Sequence, residues 1–476
     1  MKMIKISCFI HDIRLVDRKL METICTQLSN HFGTRLTNDT CDVRSGFYFS
    51  PDEPTALIQA EGGPCAVIAP VQAFILKQLL SESDISTWNS ISPDKCYQFL
   101  VQASTEILKQ AAGEKIPKFS IVYMDSKFSD EENEEKMRWS KKMSNIENEE
   151  EGGSVRNEEN ENKSEEVLLH VMCMKTLQYH SHLHRLLFTS NSVEQVVEFL
   201  SEMLEMLKDR YGVLLLLYSV IATKGVIECR LEMSDPLEAM IDSTYGYGSQ
   251  SLINLMLTGR AVSYVWDHDQ TIGDLKLRGI DKQNSIGFLA LLEHLRYCEV
   301  GTFLKCPSNP VWVVASETHL TVLLSTEKRL VSPETPSEQA RRVFRKCDPE
   351  GNNFIPASLL QDVLAELGLV ADTEYVDIMR KKLDSENLGI ILRSSFMDEF
   401  FPEESQSCPD TFPLYHYNGL QRSNWENKVV YRKGQAVLLE CSIKGILESN
   451  PMLTVLQTKW PRIEIQWDVG QNPSLN

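Results

Sequence analysis

Cysteine is scarce: 12 in 476 residues. That is too few for a disulfide-built scaffold, and none sits in a C-x-x-C or Cys/His group of zinc-ligand spacing. No structural zinc is expected, and a reducing compartment is the default. Long apolar runs are missing as well. The longest, residues 212–222, is too short to span a bilayer. The first residues lack the basic start, apolar stretch and small-residue cleavage site of a secretory leader. Positive charge is in deficit: 48 Lys and Arg against 67 Asp and Glu leave a net charge of −19. Such a surface disfavours nucleic acid and anionic membrane and suits partners with basic faces. What is present is ordinary globular material, 42% hydrophobic and 24% charged, in a chain long enough for two or three folding units. The expectation is a soluble protein of the cytoplasm, the nucleus or both.

Along the chain, residues 12–32 carry apolar side chains at helical spacing and read as an N-terminal arm over 1–32. Gly62-Gly63-Pro64 forms a turn before an apolar stretch over 65–80, in which Pro70 is expected to kink or shorten the helix. Ser92-Pro93 opens a helix to about Ala112, and 119–124 reads as a buried strand. Composition then changes. Residues 130–166 hold 14 Asp and Glu against 6 Lys and Arg and almost no aliphatics, so a disordered acidic insertion is expected over 128–166. A strand is expected again at 167–174, and helices at 193–207, 211–222, 249–259 and 284–297. Residues 311–315 and 319–324 read as a hairpin closed by Ser316-Glu317-Thr318. A helical module over 335–402 interrupts the core. Strand patterns at 428–442, 452–458 and 462–467 then complete the core within 403–476. The core body is thus 33–334, resumed after the module.

The sharpest chemical feature is Gln59-Ala60-Glu61-Gly62-Gly63-Pro64-Cys65. A cysteine that opens a helix faces unpaired backbone N–H groups and the positive end of the helix dipole, which favours the thiolate. Gly62 and Gly63 leave room for a substrate backbone to approach the sulfur. Gln59 is suited to donate to a developing oxyanion together with the Cys65 amide, a layout similar to that of papain-like proteases. Glu61 in this run is either a carboxylate beside the site or a surface residue. The base must be one of ten histidines. His11 and His31 lie in the arm, His170 in a strand pattern, and His180, His182 and His184 in a polar stretch that lacks further zinc-type ligands. His268 sits in an Asp-rich loop, His294 on the 284–297 helix, and His416 within Tyr415-His416-Tyr417. His319, at the edge of the hairpin beside apolar strands, is the rigid strand-borne choice, with Thr321 a candidate to orient its ring. The competing reading makes Cys65 a small buried core residue and His319 a structural strand histidine.

The run from Gln59 through Gly62-Gly63-Pro64-Cys65-Ala66-Val67 to Gln72 closely resembles the catalytic motif of the MINDY family of cysteine-type deubiquitinases. Tyr247-Gly248-Ser249-Gln250-Ser251 and Ser316-Glu317-Thr318-His319 carry the same resemblance. Pro336-Ser337-Glu338-Gln339-Ala340 and Thr458-Lys459-Trp460-Pro461 are similar to the branch with an EF-hand-like module, the third member. The resemblance implies an α+β fold with a papain-like cysteine protease-type core and an inserted EF-hand-like helical module. It implies a deubiquitinase that hydrolyses isopeptide bonds in polyubiquitin and prefers lysine-48-linked chains. Cys65 would be the nucleophile, His319 the general base and acid, and Gln59 the oxyanion-hole donor. Gly62 and Gly63 would line the substrate groove, and the partners would be polyubiquitin and ubiquitinated proteins. The other readings are a catalytically inert EF-hand-like ubiquitin-binding adaptor and a Cys/His acyl transferase.

Within the module, Asp348, Glu350 and Asn352 fall at positions 1, 3 and 5 of an EF-hand loop. Position 6 is Asn353 instead of Gly, and position 12 is Leu359 instead of the bidentate Glu. The second loop, from Asp384, keeps Gly389 at position 6 but has Leu388 at 5 and Ser395 at 12. Both loops are short of ligands, so little or no calcium binding is expected, and no cofactor or metal is expected elsewhere.

Overall fold

The computed structural model describes residues 46–60, 63–113, 117–123, 187–209, 211–241, 246–273, 275–332, 335–348, 352–402, 408–439, 450–468 and 470–476. The expected N-terminal arm, the acidic insertion, the 167–174 strand, Glu61 and Gly62 all lie outside the described residues. Two compact units are present. One holds the described residues up to Thr326 and those from Pro413 onward; the other is Glu327–Phe412.

The larger unit mixes helices with a six-stranded sheet and, among the described residues, three two-stranded ones, an α+β arrangement. Six strands make the sheet: β1 (Gly287–Ala290), β2 (Val311–Ala315), β3 (Leu320–Leu324), β4 (Thr411–Tyr417), β5 (Arg432–Leu438) and β6 (Ile463–Trp467). They lie side by side in the order β6-β5-β4-β3-β2-β1. β1 runs parallel to β2, while β2 with β3 and β3 with β4 are antiparallel. Every residue of β2 and β3 is buried, which is why their sequences read as continuous apolar runs without alternation.

Helix α1 (Cys65–Glu82) packs against β2 and β3. It is long and apolar enough to cross a membrane by composition, yet 72% of that span is buried inside the protein. It runs as one element with Pro70 inside it, so proline does not shorten it. Burial on nearly all sides holds the helix across the hydrogen bond that proline cannot donate. α2 (Pro93–Ala112), α3 (Gly212–Lys224) and α4 (Gln250–Thr258) complete the packing around α1. Their caps follow from sequence: the side chains of Ser92 and Ser249 accept the amides of Lys95 and Leu252.

Three expectations are corrected. Residues 284–297 are not one helix. Gly287–Ala290 is the buried strand β1, followed by a single turn at Leu291–His294. A short, wholly buried run has no periodicity that separates strand from helix. Met452 to Thr458, expected as a strand, lies mostly in helix α5 (Pro451–Gln457). The Asn450 side chain accepts the Leu453 amide and Pro451 stands at the first helical position, and these start signals outweigh β-branched content. The expected 193–207 helix breaks at Met203 into Val193–Glu202 and Leu204–Lys208.

The smaller unit has its own core around Phe344, Ile355, Leu360, Leu364 and Phe396. Two loops in it repeat one pattern. The Asp348 carboxylate accepts the amides of Asn352 and Asn353 at 2.9 and 2.6 Å. Asp384 accepts those of Leu388 and Gly389, both at 2.7 Å. Phe354–Pro356 and Ile390–Leu392 pair antiparallel, with Ile355 opposite Ile391. Asn353 takes φ 65° where the second loop has Gly389 at φ 77°, a left-handed conformation asparagine tolerates better than most residues.

Candidate functional site

Cys65 is the first residue of α1 and is only 4% exposed. Pro64 precedes it and caps nothing with its side chain. Gly63 turns the chain into the helix at φ 114°, a conformation that requires glycine. The Cys65 sulfur donates to the Gly63 carbonyl at 3.9 Å. Burial pushes the thiol up to about 11, against the pull of the amides of Leu320, Ala66 and Cys65 itself. The expected thiolate at the helix tip is therefore corrected: desolvation outweighs the helix N-terminus, and the resting thiol is neutral.

The Leu320 amide at the sulfur places the start of β3 beside Cys65. His319 is the preceding residue, 6% exposed, with its Nε2 3.0 Å from Asn418 Oδ1. Burial lowers its pKa below the ordinary imidazole value, and the Asn418 bond opposes that shift. Thr321 does not orient the ring; its hydroxyl faces the Val314 carbonyl at 3.5 Å. Asn418 takes that place, and nothing in the sequence singled it out from other asparagines. It lies just beyond β4, the strand paired with β3, so sheet register brings it to His319 across 99 residues.

The Asn418 amide has a fixed sense. Its Oδ1 accepts the Leu420 amide at 3.0 Å, and its Nδ2 donates to the Ser474 carbonyl at 3.1 Å. Its oxygen therefore faces the imidazole, so His319 Nε2 carries the hydrogen and Nδ1 is left as the basic nitrogen.

Gln59 is 2% exposed and bridges Leu420, two residues after Asn418. Its amide donates to the Gly419 carbonyl at 2.7 Å. The strand just before it is tied to α1 by Gln72, which is fully buried. Gln72 Oε1 accepts the Leu57 amide at 2.7 Å and its Nε2 donates to the Thr55 carbonyl at 3.1 Å. Gln59 is thus linked to Asn418 and His319 through the Gly419–Leu420 backbone, and Cys65 lies against the residue after His319.

Gly248 closes one side. A Cβ there would lie 2.3 Å from the Ala66 Cβ, so this backbone lies directly on the first turn of α1.

The other histidines lie elsewhere or play other parts. His416 is 1% exposed on β4, its Nε2 has no hydrogen-bond partner, and burial together with the nearby His319 drives it down to about 3. His268 packs edge-on against Phe303, and His294 ends a single helical turn. His11, His31, His170, His180, His182 and His184 lie outside the described residues. Among the described residues no group of His, Cys, Asp and Glu is placed to hold a metal ion.

Residues 32–350 match the family model described as deubiquitinating enzyme MINDY-3/4, conserved domain. A Drosophila melanogaster protein named ubiquitin carboxyl-terminal hydrolase MINDY-3 homolog is 49% identical over 446 residues, covering 90% of this chain and 79% of its own. The Homo sapiens ubiquitin carboxyl-terminal hydrolase MINDY-3 is 43% identical over 440 residues, covering 92% and 94%. Its Xenopus tropicalis counterpart is 44% identical over 430 residues, covering 90% and 93%. No solved structure matches the chain.

Proposed function

Because the chain belongs to the MINDY-3/4 family of deubiquitinating enzymes, we propose that it is a cysteine-type isopeptidase acting on polyubiquitin and ubiquitinated proteins. Cys65 is the nucleophile, His319 the base and Gln59 the oxyanion donor. Asn418 holds the imidazole. The observation that carries this reading is the His319–Asn418 bond next to the sulfur. Cys, His and Asn occur in that chain order, the set used by papain-like proteases, and the core is read as papain-like on that ground.

The thiol is held high and the imidazole low, so the resting pair is neutral, not a preformed ion pair. Nδ1 of His319 takes the thiol proton as the sulfur attacks the carbonyl of the ubiquitin terminal glycine. The tetrahedral oxyanion is assigned to the Gln59 side-chain amide and the Cys65 N–H. Collapse breaks the C–N bond, and His319 passes its proton to the departing lysine amine, leaving a thioester. Water, deprotonated by the same nitrogen, then releases the acid and the thiol. Gly63 is assigned to the approach of the substrate tail, and the sequence motif gives Gly62 the same part. Preference for lysine-48 linkages rests on the family resemblance alone.

The test is cleavage of linkage-defined tetra- and penta-ubiquitin by the wild type and by Cys65→Ala. Cleavage by the wild type and none by the variant is expected; equal activity in the two sinks the reading. A ubiquitin electrophile probe separates this from an inert ubiquitin-binding adaptor, which the buried neutral thiol would equally suit. Labelling lost in Cys65→Ala supports the enzyme.

The smaller unit is read as a paired EF-hand-like module in which Ile355 and Ile391 occupy position 8 of each loop. With Leu359 and Ser395 at position 12 it binds calcium weakly or not at all. Calorimetry of the full chain with micromolar calcium should register no binding heat; a saturable isotherm would overturn this.

A further inference from the structure

The Ser474–Asn476 segment bonds Asn418 directly and reaches His319 through Ser316. On one side, Asn418 Nδ2 donates to the Ser474 carbonyl at 3.1 Å and, at 3.5 Å, to that of Asn476. On the other, the Ser316 hydroxyl accepts the His319 amide at 3.0 Å and the Thr318 amide at 3.3 Å. A hydroxyl has one hydrogen to give. Ser316 has two acceptors for it, the His319 carbonyl at 3.1 Å and Asn476 Oδ1 at 2.6 Å. The shorter bond draws the hydrogen to Asn476. Thr318 offers the same Oδ1 a second hydroxyl at 3.4 Å.

The segment is itself built to stay. Leu475 is 5% exposed, and Ser474 Oγ bonds both the Asn476 carbonyl and amide, at 2.6 and 3.1 Å. Asn476 itself is solvent-exposed, so its side chain contributes little to the core. What it does contribute is a fixed acceptor over the tight turn that carries His319.

We infer that Asn476 is a positioning residue for the proposed isopeptidase, acting through Ser316 on the His319 turn while the backbone beside it sets the sense of the Asn418 amide. This rests on the reading of Cys65 and His319 as the reacting pair. Well-oriented reacting groups supply a large part of an enzyme's rate, so loosening one mainly lowers kcat.

The experiment compares Asn476→Ala, Ser316→Ala, their double variant and Asn476→Asp in the full chain on lysine-48-linked tetra-ubiquitin. Asn476→Ala should lower kcat by roughly 3- to 10-fold with KM and unfolding midpoint unchanged. The double variant should lose no more than the worse single one, because both act on one contact. Asn476→Asp, which keeps the acceptor oxygen, should restore kcat to within about twofold. Unchanged kcat in Asn476→Ala, multiplicative losses, or no rescue by aspartate would each overturn the inference. Nitrogen-15 NMR of the His319 ring reads the positioning without turnover. The Nε2–H tautomer should persist in Asn476→Ala, because Leu420 and Ser474 still fix Asn418, while the ring resonances shift and broaden as the turn loosens; ring resonances identical to wild type overturn the inference. If the wild type does not cleave ubiquitin chains, the function fails and the NMR result still decides the positioning.

Discussion

Replacing Gly248 by alanine places a Cβ 2.3 Å from the Ala66 Cβ and 3.1 Å from Leu252 Cδ2. Carbon atoms in contact settle at about 3.5–4.0 Å, so about 1.2 Å or more must be found by movement. Leu252 Cδ2 is a side-chain end that can give by a few tenths of an ångström; Ala66 Cβ is not. Ala66 Cβ is fixed to the backbone of a buried helix, and the residue before it is Cys65. The first turn of α1 therefore shifts, and the sulfur shifts with it. Overpacking of this kind costs about 1–3 kcal/mol, which a folded domain of this size survives. A misplacement of about 1 Å at the reacting centre costs on the order of 100-fold in rate. The assay is kcat/KM on linkage-defined tetra-ubiquitin, with probe labelling of Cys65 and a thermal melt alongside. Gly113→Ala is the control. Gly113 has φ 77° and ψ 178° and nothing within 4 Å of a new Cβ, so alanine there costs about 1–3 kcal/mol of backbone strain and leaves activity intact. A folded Gly248→Ala enzyme with wild-type kcat/KM would refute the reasoning, because the Tyr247–Gly248 backbone would then have yielded instead of the helix.

Three further outcomes follow from the same geometry. Asn418→Ala frees the imidazole; general-base catalysis supplies about 10²–10⁴-fold, so kcat should fall by roughly tenfold or more, and wild-type kcat would remove Asn418 from the site. With its pKa pushed up to about 11, Cys65 in the free protein should react with iodoacetamide at pH 7–9 more slowly than free cysteine does, followed by peptide mass spectrometry; fast alkylation at pH 7 would show the thiol already ionised. His416 is neutral when folded, held down to about 3, whereas an unfolded histidine titrates near 6.5. The unfolded chain thus binds the extra proton, so stability is full above pH 6.5 and falls by up to about 1.4 kcal/mol per pH unit toward pH 3. Urea unfolding at pH 7.5 and 5.5 measures that slope. His416→Leu should flatten it, and an unchanged slope would place the titration elsewhere.

The long helices were legible because their signals are local. Ser92 before Pro93, and the apolar face of 93–112, set α2 without help from the rest of the chain. Short elements were not. Residues 287–290 became a strand because Val311–Ala315 lay parallel beside them, and no window of sequence contains that neighbour. At the site, Gln59, Gly63 and Cys65 could be named because one short turn places them. His319 could be proposed from a strand-edge position, and its resemblance to a known motif sharpened the choice.

Chain alone, then, determined the chemistry: a cysteine at a helix start, the glycine that turns the chain into it, a glutamine before it and a histidine on a β-hairpin. Folding decided the rest. Sheet register selected Asn418 as the ring's partner, and the Ser474–Asn476 segment came to bond Asn418 and the Ser316 that holds the His319 turn. Burial reversed the sign expected for the thiol, because a charge at a helix tip is favoured by nearby amides only as long as water or a counter-charge also reaches it.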